Sequence, residues 1–246
     1  MDRVLYIAMT GAREATRRQA LVAHNLANVD STGFKQQLAV FRALPVVGEG
    51  ARTRAFVLET TPATDFSPGP VRHTGRPLDV AVRGSGFIAV QDVGGGEAYT
   101  RAGALEVGPN GLIQTVTGHI VLGDGGPIAV PPEQEVMIAA DGTVSTIPPG
   151  ENRTAVAIAG RIRLVNPPEA DLVRGEDGLF RSHTGTPIPA DANVRLTVGA
   201  LEASNVNPAE ALVQMISASR QFELQMRLIR SADENARAAD KLIARV

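Results

Sequence analysis

The groups in this 246-residue chain that could move a proton or hold a metal are four histidines and a few close carboxylates, and their spacing assembles neither kind of site. His24, His73, His119 and His183 lie far apart, with no i, i+4 pair and no H-E-x-x-H run, so no helix face offers two imidazoles to one ion. Glu202 with Glu210, and Asp233 with Glu234, are the carboxylate pairs near enough to suggest acid–base work. They fall on or beside a helical stretch, where the sequence reads as a solvated face. Residues 84–89, GSGFIA, satisfy G-x-G-x-x-G/A, but a dinucleotide loop must open a helix. Here the run continues as AVQDVGGG, a short strand closed by a glycine turn. There is no G-x-S-x-G elbow, Walker loop or EF-hand loop. The absence of cysteine removes disulfides, zinc–thiolate sites and thiol nucleophiles. The sequence therefore predicts no catalytic, cofactor-binding or metal-binding residues, and a protein that is not an enzyme.

Composition narrows the partners. Hydrophobic residues at 43% and charged residues at 20% are globular proportions, so the chain is expected to fold. A formal net charge of −2 with no basic stripe argues against nucleic acid and anionic lipid. Aromatics at 4%, without tryptophan, leave little from which to build a stacking platform for bases or sugars. The opening apolar run, VLYIAM, stops at Thr10-Gly11 and is followed by charges. It matches no secretory signal, and no stretch approaches the ~20 apolar residues that cross a bilayer. Export would need a route that reads no standard signal peptide, and direct membrane insertion is not expected.

Glycine and proline divide the chain. Residues 1–29 hold one glycine and no proline, residues 36–200 hold nearly all of both, and beyond Pro208 neither occurs. Since both residues are costly inside helices and mark turns, the pattern reads as helix, β-rich middle, helix. The first helical stretch carries Leu5, Ala8, Ala12, Ala15, Gln19, Val22, Leu26 and Val29. The second carries Leu212, Met215, Ser219, Phe222, Met226, Ile229, Asp233, Ala236, Asp240 and Ile243. Alternating steps of three and four are the coiled-coil period. Asn207 before Pro208 reads as an N-cap with proline at the first helical position. One stripe is mostly alanine and the other is interrupted by aspartates, so the helices need a third surface, on other subunits or on the chain's own middle domain. The middle shows short β-type runs at 78–82, 87–90, 112–116, 119–122, 127–130, 135–139, 143–147, 155–165 and 194–198, separated by turn signals.

The expected fold class is thus α+β: terminal helices paired as a coiled-coil-like domain, with a central all-β domain. The sequence boundaries are 1–35 for the first helix and its turn, 36–75 for an extended connection, 76–200 for the β domain and 201–246 for the second helix. NLANVDSTGFK at 25–35 ends the first stripe. Asn25 and Asn28 lie one turn apart, Gly33 supplies a stop, and Phe34 offers an apolar anchor.

These residues resemble the bacterial flagellar axial family, the rod and hook proteins. AHNLANVDSTGFK at 23–35 is similar to that family's N-terminal signature. GALEASNVNPAEALVQMI at 199–216, with Arg220 and Phe222, is similar to its C-terminal one. RPLDVAVRGSGFIAV at 76–90 and YTRAGALEVGPNGLI at 99–113 resemble its central β domain. The start, the short length and the closing RSADENARAADKL are most similar to proximal rod members, with distal rod and hook members as the alternative. His24 departs from the family's usual Asn-Asn pair. A binding β domain with helical oligomerisation arms is the rival of a different class, and the scarcity of aromatics speaks against it.

The resemblance implies a structural subunit of the basal-body rod in the periplasm. It would be exported by the flagellar type III apparatus, assembled with proximal and distal rod subunits or with itself, and used to transmit torque. The assembly residues it implies are Leu5, Ala8, Ala12, Val22, Asn25, Leu26, Asn28, Val29, Phe34, Leu212, Met215, Phe222, Met226 and Ile229.

Overall fold

The computed structural model describes residues 2–45, 55–59, 63–132, 134–148 and 156–243. The chain divides into two units. One comprises Met1–Val29, Gln36–Asp65 and Val206–Val246; the other comprises Asp30–Lys35 and Phe66–Asn205.

The first unit is built on two helices, α1 (Asp2–Ala27) and α2 (Pro208–Ile243), which lie against each other. The start of α2 follows the capping chemistry expected from sequence. The Asn207 side-chain oxygen accepts the N–H groups of Ala209 and Glu210, and Pro208 occupies a position whose missing N–H costs nothing. The end of α1 tightens: the N–H groups of Asn28 and Val29 reach back three residues, to Asn25 and Leu26. Small residues dominate where the helices face each other. Ala8, Ala12, Ala15, Ala211 and Ala218 are buried, and a β-carbon on Gly11 would stand 2.8 Å from the Gln225 amide. The buried face of α2 therefore follows Ala211 and Ala218, one residue ahead of the sequence stripe, while Leu212 and Phe222 are exposed. Two backbones that pack closely do so over alanines, which turns the larger neighbours outward. The stretch 36–65 is more than an extended connection. Gln37–Leu38 pairs with Ala63–Thr64, and Phe41–Pro45 pairs with Ala55–Glu59, both antiparallel.

The second unit is β throughout apart from one 3-10 turn among its described residues. Its main sheet runs, in spatial order, through Leu172–Arg174, Phe180–Ser182, Glu97–Thr100, Phe87–Gln91, Ile120–Gly123, Ile113–Thr115 and Leu105–Val107. A three-stranded sheet joins Glu135–Ile138, Thr143–Ile147 and Ala157–Arg161. Two strand pairs complete it, Val80–Arg83 with Arg195–Val198 and Val71–His73 with Ala200–Glu202.

Phe87–Gln91 is central because it is buried on both faces. Side chains alternate across a strand, so Ile88 and Val90 enter a large aliphatic core while Phe87 and Ala89 enter a smaller aromatic one with Tyr99 and Phe180. That double burial explains the unbroken apolar run FIAV. The preceding GSG is the turn between Val80–Arg83 and this strand. Gly84 and Gly86 both have positive φ, and no helix follows.

Truncating Ile88 to alanine should lower the unfolding free energy of the β unit by about 2–5 kcal/mol, since it empties a fully enclosed site. Val116→Ala, on an exposed position, should stay within about 0.5 kcal/mol. Denaturant titration of the intact chain, followed by a probe in the β unit, measures both.

Candidate assembly site

The residues expected at the assembly interface fall into three groups. Ala8, Ala12 and Val22 are buried, whereas Leu5, Leu26, Met215, Met226 and Ile229 are half-buried along the two helices and Asn28 and Val29 are half-buried in the turn after α1. Leu212 and Phe222 stand exposed. Asn25 and Phe34 serve the chain itself. The Asn25 amide donates to the Gln37 carbonyl at 2.8 Å and accepts the Gln37 N–H at 3.0 Å. This reciprocal pair copies one rung of a β-ladder and fixes the strand Gln37–Leu38 to the end of α1. Asn28 donates back to the His24 carbonyl, one turn earlier. Phe34 lies in the β unit, 8% exposed, with the Arg174 guanidinium 4.4 Å above its ring. It is an internal anchor and not a surface one.

A face that the single-stripe reading missed is more telling. Val213 is 66% exposed and Leu224 57%, and Ile216 and Leu228 are similarly open. With Arg220 these positions step by three and four along α2, on the side opposite Ala211 and Ala218. Tyr6, Ile7 and Met9 are likewise exposed on α1. The signal was present in the sequence as a second periodic row, hidden because the first row already satisfied the period. α2 thus carries apolar side chains on more than one side. Each large side chain would contribute about 1.5–3 kcal/mol if covered.

The second unit contains a buried ionic cluster. Lys35 is fully enclosed, and its Nζ donates to Glu202 Oε1 and to the Ser67 carbonyl, each at 2.7 Å. Glu202 Oε1 also accepts the Gly69 N–H at 2.9 Å, and Oε2 accepts from Arg101 Nη1 at 3.0 Å. Burial alone would push the Glu202 carboxyl up. The Lys35 hydrogen bond, the Gly69 N–H and the Arg101 charge outweigh it and hold the carboxyl below its ordinary value. Glu202 is thus a buried structural ion, and the solvated face expected for it is corrected. Its backbone carbonyl also accepts the N–H of Gly33. Gly33 has a φ of +67°, and a β-carbon there would stand 2.2 Å from the Arg101 backbone, so the position excludes any side chain. The signature turn 30–35 is therefore bound into the β unit by the residues that close it. Arg174 adds a bond from Nη1 to the Lys35 carbonyl.

Among the described residues no group of three His, Asp or Glu side chains could hold a metal, and no helix is long and apolar enough to cross a membrane.

Three family profiles match the chain in order. One described as flagella basal body rod protein covers residues 5–35, one described as flagellar hook protein FlgE/F/G D1 domain covers 81–146, and one described as flagellar basal body rod FlgEFG protein C-terminal covers 197–242. The chain is 44% identical to the flagellar basal-body rod protein FlgF of Salmonella typhimurium over 99% of both chains. It is 33% identical to that of Caulobacter vibrioides over the full length of both. It is 31% identical to the flagellar basal-body rod protein FlgG of Buchnera aphidicola from Acyrthosiphon pisum, over 94% of this chain and 95% of the relative.

Removing the buried counter-charge should be severe. Glu202→Gln leaves Lys35 and Arg101 without their carboxylate and should cost about 3–5 kcal/mol of stability at neutral pH. Because the folded carboxyl titrates below the unfolded one, that gap is full above the ordinary glutamate range. It closes as pH falls from there through the lowered folded value. Denaturant melts of both chains between pH 7 and pH 3 check the size and the window.

Proposed function

Because the chain belongs to the flagellar basal-body rod family and is a structural subunit of the basal-body rod, we propose that it polymerises there through its terminal helices and passes torque along the rod. The protein resides in the flagellar basal body and associates with other rod components. Its relatives are rod proteins and not enzymes.

The observation that carries the helical reading is the second apolar row on α2, Val213, Ile216, Leu224 and Leu228, on the side turned away from the alanine face. In a single chain that row meets water. In a helical stack it meets the terminal helices of neighbours, and the two rows of α2 then serve two different contacts. We read α1 and α2 as a coiled-coil-like pair on the strength of their three-four spacing and of Ala8, Ala12, Ala15, Ala211 and Ala218 on the buried side. Packing alanine against alanine draws the helices close but buries little apolar area, so neighbours must supply the rest.

The 44% identity to FlgF of Salmonella typhimurium, against 31% to FlgG of Buchnera aphidicola, supports a proximal rather than a distal place in the rod. Export by the flagellar type III apparatus is part of the same proposal and rests on membership of the rod family.

Replacing Ile216 or Leu224 by aspartate should abolish incorporation into basal bodies and swimming on soft agar, because each places a carboxylate in the contact. The melting of the purified chain should be unchanged, since both side chains are already in water. Val93→Asp makes the same apolar-to-acid change at a 96% exposed turn of the β unit and should swim normally. Normal swimming by both α2 variants would remove the helices as the assembly surface.

A further inference from the structure

The strand Val71–His73 is an open edge of the β unit. It pairs with Ala200–Glu202 and, among the described residues, with no other strand. The ladder shows which backbone groups are spent. The Ala203 N–H donates to the Pro70 carbonyl at 2.9 Å, and the Thr74 N–H donates to the Gly199 carbonyl at 2.8 Å. In an antiparallel ladder every second residue faces the partner, so Pro70, Arg72 and Thr74 face Ala200–Glu202. Val71 and His73 turn their N–H and C=O groups the other way. Neither makes a further backbone hydrogen bond among the described residues, and every residue from 70 to 77 is exposed. A row of donors and acceptors is thus held in water in the geometry of a strand template.

The same run is basic. Residues 70–77 read PVRHTGRP, with Arg72, His73 and Arg76 and no acid. Asp79 lies 3.8 Å from Arg76 Nε, longer than a hydrogen bond, and offsets that charge in part. Arg72 and His73 make no ion pair among the described residues. Glu202, opposite Val71, is turned inward onto Lys35 and Arg101. The turn that holds Asp30 binds the far side of Ala200–Glu202, through the Gly33 N–H on the Glu202 carbonyl.

We propose that this edge receives an extended acidic segment of a neighbouring rod chain, which adds a strand beside Val71–His73 and sets its carboxylates toward Arg72 and Arg76. Backbone bonds give such a contact its register, and the charges choose the partner. Two copies of the edge do not suit each other, because antiparallel pairing about Arg72 sets guanidinium against guanidinium. The charge that closes the edge to its own kind opens it to an acidic strand. An anionic lipid headgroup meets the charges but brings no row of alternating donors and acceptors. The contact would join the β unit of one subunit to the next at a point separate from the α2 face. It rests on the reading of the chain as a rod subunit with neighbours.

Photo-cross-linking in assembled basal bodies tests it. The p-benzoylphenylalanine probe replaces Val71, exposed on the edge, in one strain and Leu224, on the α2 face, in another. Irradiation and mass spectrometry of purified basal bodies then identify the partner peptide. Both positions should cross-link to rod chains, and the Val71 adduct should map beside an aspartate or glutamate. Two substitutions probe the two parts of the contact. Arg72→Glu reverses a charge that no ion pair of the single chain uses, and should lower the Val71 yield by roughly tenfold. His73→Pro removes an N–H directed away from Ala200–Glu202, where an edge tolerates proline, and should lower the yield about fivefold, the loss of one hydrogen bond. The Leu224 yield and the melting of the purified chain should be unchanged by either. Cross-linking at Leu224 with none at Val71 overturns the edge contact while the helical reading stands. A Val71 adduct on a lipid, on a glycan or on a segment without acids overturns it, as does a yield indifferent to either substitution. Silence at both positions overturns the helical reading and the edge contact with it.

Discussion

The carboxylate of Glu202 organises the β unit. It is enclosed, and it holds the Lys35 ammonium, the Arg101 guanidinium and the Gly69 N–H at 2.7–3.0 Å. These groups come from the signature turn after α1, from the stretch following the main sheet's strand Glu97–Thr100, and from the segment that re-enters the unit at residue 66. Glu202 itself ends the last strand before α2. The chain passes between its two units four times, and three of those passages begin or end within a few residues of this cluster. A buried carboxylate can be stable only when its lone pairs are filled, so the positions of all four segments are tied to one another. Gly33 belongs to the same constraint, because its backbone lies too close to Arg101 to carry a side chain.

The helical unit is governed by a different balance. Close approach over alanines gives geometry with little apolar burial, and the large side chains of α2 are displaced to the far side. Such a helix is incomplete as an isolated element. In the helical assembly proposed above, neighbours would cover the outer row.

Much of the frame was legible in the sequence. Asn207-Pro208 announced the start of α2, the glycine and proline zones separated helix from sheet, and the apolar runs at 87–90, 135–139 and 143–147 became strands close to their expected limits. Among the strands that escaped notice, Val71–His73, Glu97–Thr100, Leu172–Arg174 and Phe180–Ser182 are polar or mixed and have no clean alternation to betray them. They are set by pairing across the sheet and not by local pattern. The ionic cluster was invisible for another reason. Lys35 and Glu202 are 167 residues apart, and a single lysine or glutamate has the same local appearance in a core as on a surface. Phe34 illustrates the same limit, since an apolar residue after a helix stop can as easily anchor inward as outward.

The long separation between Lys35 and Glu202 also sets an order of events. A chain made from its N-terminus exposes the ammonium early and completes the carboxylate only when most of its length exists. Until then the early strand Val71–His73 lacks Ala200–Glu202, the strand that pairs with it. The sequence thereby carries its own delay, because the ion that closes the unit arrives only with the last of its strands.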